Sequence, residues 1–380
     1  MKSSGDCSNY IAPPGRLRLG LKIVKPYLAM VTVQIGYGGL FVIAMLSMKH
    51  GMSNFVLSVY RNAVATLVIA PFALVLERKG RPKMTLPIFL RVAVLGFIEP
   101  VLDQNLYYGG MKYTSATFAS AINNSVPAIT FIMAIIFRLE TVNMKKVPSL
   151  AKVIGTVVTL AGAMVMTLYK GPIVDIIRSR GIVHHGGDAA ASSKSADHRW
   201  VIGTLMILIT TLGWASFFIL QSFTLEKYPA KLSLTALICL TGTVEGAVAT
   251  FIFERDVSVW RIGLDSKLLT VVYAGVVCSG IAYYLQGVVI RERGPVFMSA
   301  FYPLSMITTA VLGAIVLAEK VHLGSIIGAI FIVIGLYMVV WGKSKDRVKS
   351  GDLPSTVEDE KSASSVHELP ITGGKSGRCF

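Results

Sequence analysis

The sequence predicts an all-α polytopic membrane protein of ten transmembrane helices, arranged as two inverted five-helix repeats. Three observations predict it. Of 380 residues, 53% are hydrophobic and only 15% charged, and the mean hydropathy is +0.63, a balance that belongs to chains living in lipid. Crossing about 30 Å of hydrocarbon takes about 20 mostly apolar residues, and the chain offers ten such runs. Its two halves also resemble each other at a nearly constant offset.

In chain order the runs are Pro26 to Leu46, Val56 to Leu76, Leu86 to Tyr108, Ala116 to Phe137 and Leu150 to Leu168, then Trp200 to Leu220, Leu232 to Phe253, Leu268 to Ile290, Pro295 to Leu317 and Leu323 to Trp341. The predicted domains are a cytoplasmic segment 1–25, a first repeat 26–168, a flexible inter-repeat loop 169–199, a second repeat 200–341 and a disordered tail 342–380. The first segment is polar and basic (Lys2, Arg16, Arg18, Lys22, Lys25), so the first helix is expected to stay as an uncleaved anchor. Cys7 and Cys379 lie in the tails and Cys239 and Cys278 in predicted helices, which suggests no disulfide framework.

The net charge of +16 is distributed for topology and not for nucleic acid. Basic residues gather before the first helix, between the second and third (Arg78, Lys79, Arg81, Lys83, Arg91), between the fourth and fifth, and after Trp341. This places both termini in the cytoplasm.

The repeat is read from matched strings. At an offset of 177, GYGGLF (36–41) falls on GWASFF (213–218); at 179, Gly96 meets Gly275 and FASA (118–121) meets FMSA (297–300). Gly155 and Gly162 meet Gly328 and Gly335 after a short gap. Five is an odd number, so the second copy enters the membrane from the opposite side, as in carriers that alternate access around a midplane site.

The runs TFASAINNSVPAITFIMAIIFRLETV (117–142), MTLYKGP (166–172), YPAKLSLT (228–235), RGPVF (293–297) and the segment 323–346 carry a family resemblance. The chain resembles the nodulin-like plant members of the drug/metabolite transporter superfamily, which hold two EamA domains. These include the "usually multiple acids move in and out" amino-acid transporters and the Walls Are Thin auxin transporter. The resemblance implies facilitated export of amino acids or related organic solutes, and FIEPVLDQNLYY (97–108) leans toward the amino-acid branch. Where that branch is expected to hold a small polar residue before Pro303, this chain has Tyr302, so the shape of the binding site is not carried over unchanged.

Polar residues inside predicted helices are the site candidates, because charged groups in hydrocarbon persist only when they pair, protonate or face a polar cavity. Glu99 and Asp103 share one helical face beside Pro100, and Arg61 reaches a similar depth in the second helix. Two readings stand: a proton or substrate-amine site, or an Arg61 ion pair that fixes packing. Asn123 and Asn124 precede Pro127 and map onto Tyr302 and Pro303, so both repeats set polar side chains beside a helix-breaking proline near the midplane. Their amides suit either end of an amino acid, and an interhelical hydrogen bond is the alternative. Gln34, Gln286 and Ser305 are further cavity candidates, with Gln221 and Thr308 behind them. Glu245, set in a GxxxG spacing between Gly242 and Gly246, is a second protonation candidate. Glu140 and Glu319, beside Arg138 and Lys320, are expected to anchor helix ends.

No catalytic constellation emerges. His184, His185 and His198 lie in a Gly, Ala and Ser-rich stretch without a metal-ligand pattern, and the glycines at 36, 38 and 39 follow no strand. The reading is therefore a non-enzymatic secondary carrier without cofactor or metal, whose partners are a small solute and membrane lipid and not nucleic acid. Neutral amino acids at the plasma membrane are the first expectation. Auxin or another indole acid at the vacuolar membrane is the second, and a non-transporting receptor or scaffold the rival from another class.

Overall fold

The computed structural model describes residues 14–49, 53–78, 80–114, 116–169, 172–174, 194–253, 260, 266–316 and 321–349. The first half holds α1 (Pro14–Lys49), α2 (Asn54–Leu76), α3 (Leu86–Gly96), α4 (Gln104–Tyr113), α5 (Ala116–Asn123), α6 (Val126–Ile136) and α7 (Val147–Leu168). The second holds α8 (Lys194–Lys227), α9 (Lys231–Phe253), α10 (Ser266–Tyr273), α11 (Ala282–Arg293), α12 (Pro295–Ala300), α13 (Leu304–Val316) and α14 (Leu323–Lys349). One antiparallel pair of two-residue strands, β1 (Ile173–Val174) with β2 (Val321–His322), ties the start of the inter-repeat connection to the start of α14.

Among the described residues, eight helices are long and apolar enough to cross a membrane. The two other predicted spans are composite. Leu86–Tyr113 is continuous but less apolar, since it carries Arg91, Glu99 and Asp103; the other is split into α5 and α6. Residues that face outward around the bundle are large and apolar, among them Leu67, Val75, Phe251, Ile315 and Tyr337. A soluble protein does not leave so many exposed, and lipid is their solvent.

Four boundaries differ from expectation. The first helix begins at Pro14 and runs through Pro26, because 14–25 is rich in Leu, Arg and Lys, which suit a helix. The last helix continues past Trp341 to Lys349, held in part by an Asp346 ion pair with Lys152 at 2.5 Å, so this part of the tail is ordered. The segment from Lys194 to His198 is already helical and belongs to α8, not to a loop. Leu86–Tyr108 is not one α-helix: residues Phe97–Asp103 form a π-helical turn around Pro100. Positions His184, His185, Glu319, Lys320, Cys7 and Cys379 lie outside the described residues.

The repeat is visible in contacts. Ala274–Ile281 is a second π-helical turn at the position equivalent to the first, and it contains no proline. The break between α5 and α6 likewise has its equivalent between α12 and α13. Helices α7 and α14 pack along their length. A Cβ added at Gly155 would stand 2.7 Å from the Gly335 carbonyl, and one at Gly162 would stand 2.9 Å from the Gly328 carbonyl. Exchanging the two repeats converts one of these contacts into the other. A pseudo-two-fold axis therefore passes through the crossing of α7 and α14, as an inverted repeat requires.

Candidate functional site

The site is built where both repeats break their helices. Proline is tolerated in the first turn of a helix, where its missing N–H has no intrahelical partner to lose. Accordingly α6 restarts at Val126 with Pro127 in its first turn, and the chain breaks just upstream at Asn124 and Ser125. In the second repeat the break is Phe301–Pro303. Both close on hydrogen bonds to the third residue back: Ser125 N–H donates to Ile122 O at 2.9 Å and Tyr302 N–H to Ser299 O at 2.9 Å.

At this level the Asn123 Nδ2 donates to Tyr302 Oη at 2.8 Å. The two residues are 179 apart, the repeat offset itself. Equivalent residues that touch each other lie on the symmetry axis, so this bond marks the axis at the helix breaks. A cavity of about 100 Å³ opens beside it, and its walls come from α1, α2, the first π turn, α4, α5, α8, the second break and the start of α13. Along α1 it runs from Gln34 to Ala44, about 15 Å at 1.5 Å per residue.

The charged wall separates the two carboxylates. Arg61 is buried, and its Nε donates to Ser279 Oγ at 2.5 Å while its Nη2 donates to Glu99 Oε1 and to Tyr283 Oη, each at 3.1 Å. Glu99, 1% exposed, also accepts from Gln104 Nε2 at 3.3 Å through the same oxygen. The ion pair and its hydroxyl contacts thus connect α2, the two π turns and α11. Asp103 is not part of it. The Trp214 side chain stands beside its carboxylate, and its Oδ1 is buried without a partner. The carbonyl of Pro100 accepts from Ser58 Oγ at 2.5 Å, so the π turn is fastened to α2.

On the side of the α1 amino terminus, aromatic rings close the path. Tyr27 packs edge-on against Phe297 with centroids 5.3 Å apart and against Phe301 at 6.5 Å. The Arg293 guanidinium lies 5.6 Å from the Tyr27 ring. The turn between α8 and α9 is latched at the same end. Arg81 Nε donates to Tyr228 Oη at 2.8 Å, Arg291 Nη1 to Pro229 O at 3.0 Å, and Glu77 accepts the amides of Leu232 and Ser233 at 3.0 and 2.7 Å.

The sequence candidates divide accordingly. Gln34, Arg61, Glu99, Asp103, Asn123, Tyr302 and Ser305 line the cavity. Asn124 is buried but does not line it, because the chain leaves α5 at that residue and its side chain is not carried to the face that Asn123 presents. Gln286 stands behind the wall and donates through Nε2 to Tyr37 Oη at 3.1 Å. Glu245 is remote. It lies in a large apolar groove formed by α3, α4, α8 and α9 on the outside of the bundle, with Oε2 buried and unpartnered. Glu140 pairs not with Arg138 but with Lys152 at 2.7 Å and with Lys343. Arg138 has a positive φ of 59° and turns the chain there.

Sequence reasoning missed Tyr37, Phe41, Gln104, Tyr107 and Trp214 as cavity residues. A signal was present, because Tyr37 and Trp214 are the matched aromatic positions of GYGGLF and GWASFF. Among the described residues, no three His, Cys, Asp or Glu side chains gather as a metal site.

A helical bundle with two symmetry-related breaks around a polar cavity is the architecture of a multi-pass membrane transporter. The pattern of the EamA-like transporter family matches residues 24–168 and 201–341, and the chain belongs to that family. It is 60% identical over 349 residues to the WAT1-related protein At4g08300 of Arabidopsis thaliana, covering 92% of this chain and 91% of that one. It is 62% identical over 335 residues to the WAT1-related protein At1g21890 of the same plant, covering 87% and 86%. One solved crystal structure shares the fold with a TM-score of 0.62 at 18% identity, covering 83% of this chain and 96% of the other. The protein is an integral membrane transporter and not an enzyme.

Proposed function

We propose that the chain carries amino acids across the plasma membrane, outward from the cell and down their gradients, by alternating access about the axis marked by Asn123 and Tyr302. The observation that carries this reading is a small cavity on the pseudo-two-fold axis that holds charges of both signs and amide groups, which suits a zwitterion. The basic ends of the helices support the orientation. Arg78, Arg81, Arg91, Lys227, Arg291 and Arg293 fall at the end sealed by Tyr27, and by the positive-inside rule that end is cytoplasmic, as are both termini. In this arrangement the cavity side faces out.

The aromatic wall of Tyr37, Trp214 and Tyr302 favours a second reading, transport of an indole acid such as auxin, with the vacuolar membrane as its place. The test is efflux of labelled amino acids and of indole-3-acetate from cells that express the protein, with and without a proton gradient. Efflux of several amino acids, unchanged when the gradient collapses, is the expected result. Efflux of indole-3-acetate alone selects the second reading, and no efflux of either from a surface-located protein turns the assignment to a receptor or scaffold.

A further inference from the structure

We infer that Asp103 is the counter-ion for the ammonium group of the transported solute, so that a protonated amine and not a carboxylate is the feature this carrier requires. The inference rests on the amino-acid reading above and adds to it the group that is recognised.

Charge balance carries the first step. Arg61 is the cation among the side chains that line the cavity, and it is bound to Glu99 and to two hydroxyls. With that pair neutral, the charge left over is the carboxylate of Asp103. A buried carboxylate in the membrane is costly unless a cation reaches it, and among the described residues the ion pair of Arg61 goes to Glu99 and not to Asp103, beside which stands the neutral Trp214 side chain.

Hydrogen-bonding valence carries the second. The buried lining atoms without a partner are Asp103 Oδ1, Glu99 Oε2, Asn123 Oδ1 and both ends of the Gln34 amide. Four of these five are acceptors. A ligand seated here must bring donors, and an ammonium brings three with a positive charge. A solute that ends only in carboxylate brings acceptors to acceptors and a second negative charge to Asp103.

The surrounding rings carry the third. Tyr37, Tyr107, Trp214 and Tyr302 line the same space, and aromatic faces attract cations within about 6 Å of their centroids. The position equivalent to Asp103 in the second repeat is Ala282, so the molecule holds one such site and not a symmetric pair.

The test uses the full chain in proteoliposomes, with counterflow of labelled tryptophan and competition by tryptamine, which keeps the amine, and by indole-3-propionate, which keeps the carboxylate. Tryptamine is expected to inhibit and indole-3-propionate not to, at equal concentration. Asp103→Asn is expected to raise the half-saturating tryptophan concentration about tenfold or more and to abolish tryptamine inhibition, and Asp103→Glu to restore both in part. The competition arm needs no variant, so a misfolded Asp103→Asn leaves the inference testable. Wild-type counterflow inhibited by indole-3-propionate but not by tryptamine, or an Asp103→Asn protein with unchanged half-saturation and unchanged inhibition, overturns the inference while leaving amino-acid transport standing. Absence of any tryptophan or other amino-acid counterflow overturns the underlying reading, and this inference with it.

Discussion

Arg61 is held by Ser279, Glu99 and Tyr283 from three other stretches of chain, and a guanidinium in that position cannot shed its charge. Removing its carboxylate partner leaves a buried cation uncompensated, which typically costs about 3–5 kcal/mol, whereas replacing both partners by apolar residues of similar volume is often close to neutral. Glu99→Gln is therefore expected to lower the thermal unfolding midpoint in detergent sharply, and Arg61→Met with Glu99→Met to recover most of the loss. A double variant no more stable than Glu99→Gln would show that the pair is not the main packing term. The sequence placed Arg61, Glu99 and Asp103 within reach of one another but left open which carboxylate the cation takes. Composition and helical spacing treat Glu99 and Asp103 alike; only the third dimension puts Trp214 beside one and Arg61 beside the other. The same limit applies to Asn123 and Asn124, adjacent in sequence but on different faces.

Elements were legible where their signal is apolar length, and less so where it is local geometry. Hydropathy finds each span because burial in lipid is a property of about 20 residues together. It does not report that Phe97–Asp103 and Ala274–Ile281 wind as π turns, since the wider turn is set by what packs there: Ser58 on the Pro100 carbonyl in one repeat, and Tyr37 Oη donating to the Cys278 carbonyl at 3.4 Å in the other. The matched glycines 155, 162, 328 and 335 mark the repeat, and their physical reason is the close crossing of α7 and α14. Gly155→Leu places new atoms where its Cβ already meets the Gly335 carbonyl at 2.7 Å and Met338 Cβ at 2.8 Å. Overpacking of this kind costs about 1–3 kcal/mol or more. A Cβ added at Gly246 would meet Val59 Cγ2 as its nearest neighbour, at 3.4 Å. Gly155→Leu is expected to reduce the folded, monodisperse fraction in size-exclusion chromatography, and Gly246→Ala to leave it near wild type. Equal behaviour of the two would remove the crossing from the list of constraints.

For the whole molecule, the inverted repeat says what the opposite state looks like. When access alternates, each repeat adopts the conformation its partner held, so the path lined by the first repeat closes as the equivalent path in the second opens. The present cavity follows α1 from Gln34 to Ala44; at the offset of 177 the equivalent surface on α8 runs from Thr211 to Gln221. Trp214 in that stretch borders the present cavity, but beyond it the surface is sealed, with Phe217, Phe218 and Gln221 all buried. Gln221 also leaves its Oε1 without a partner, a cost that makes sense for a side chain that is wetted in the other half of the cycle. Phe41, at the equivalent of Phe218, is 47% exposed on the open side. In a background with Cys7, Cys239, Cys278 and Cys379 replaced by serine, Phe41→Cys is expected to react from outside with a membrane-impermeant thiol reagent, while Gln221→Cys reacts only from the cytoplasmic face. Saturating substrate on both sides, which drives cycling, should slow the first reaction and speed the second. Labelling of Gln221→Cys from outside, or rates that substrate does not move in opposite directions, would mean that the two α1 and α8 surfaces are not alternate walls of one path.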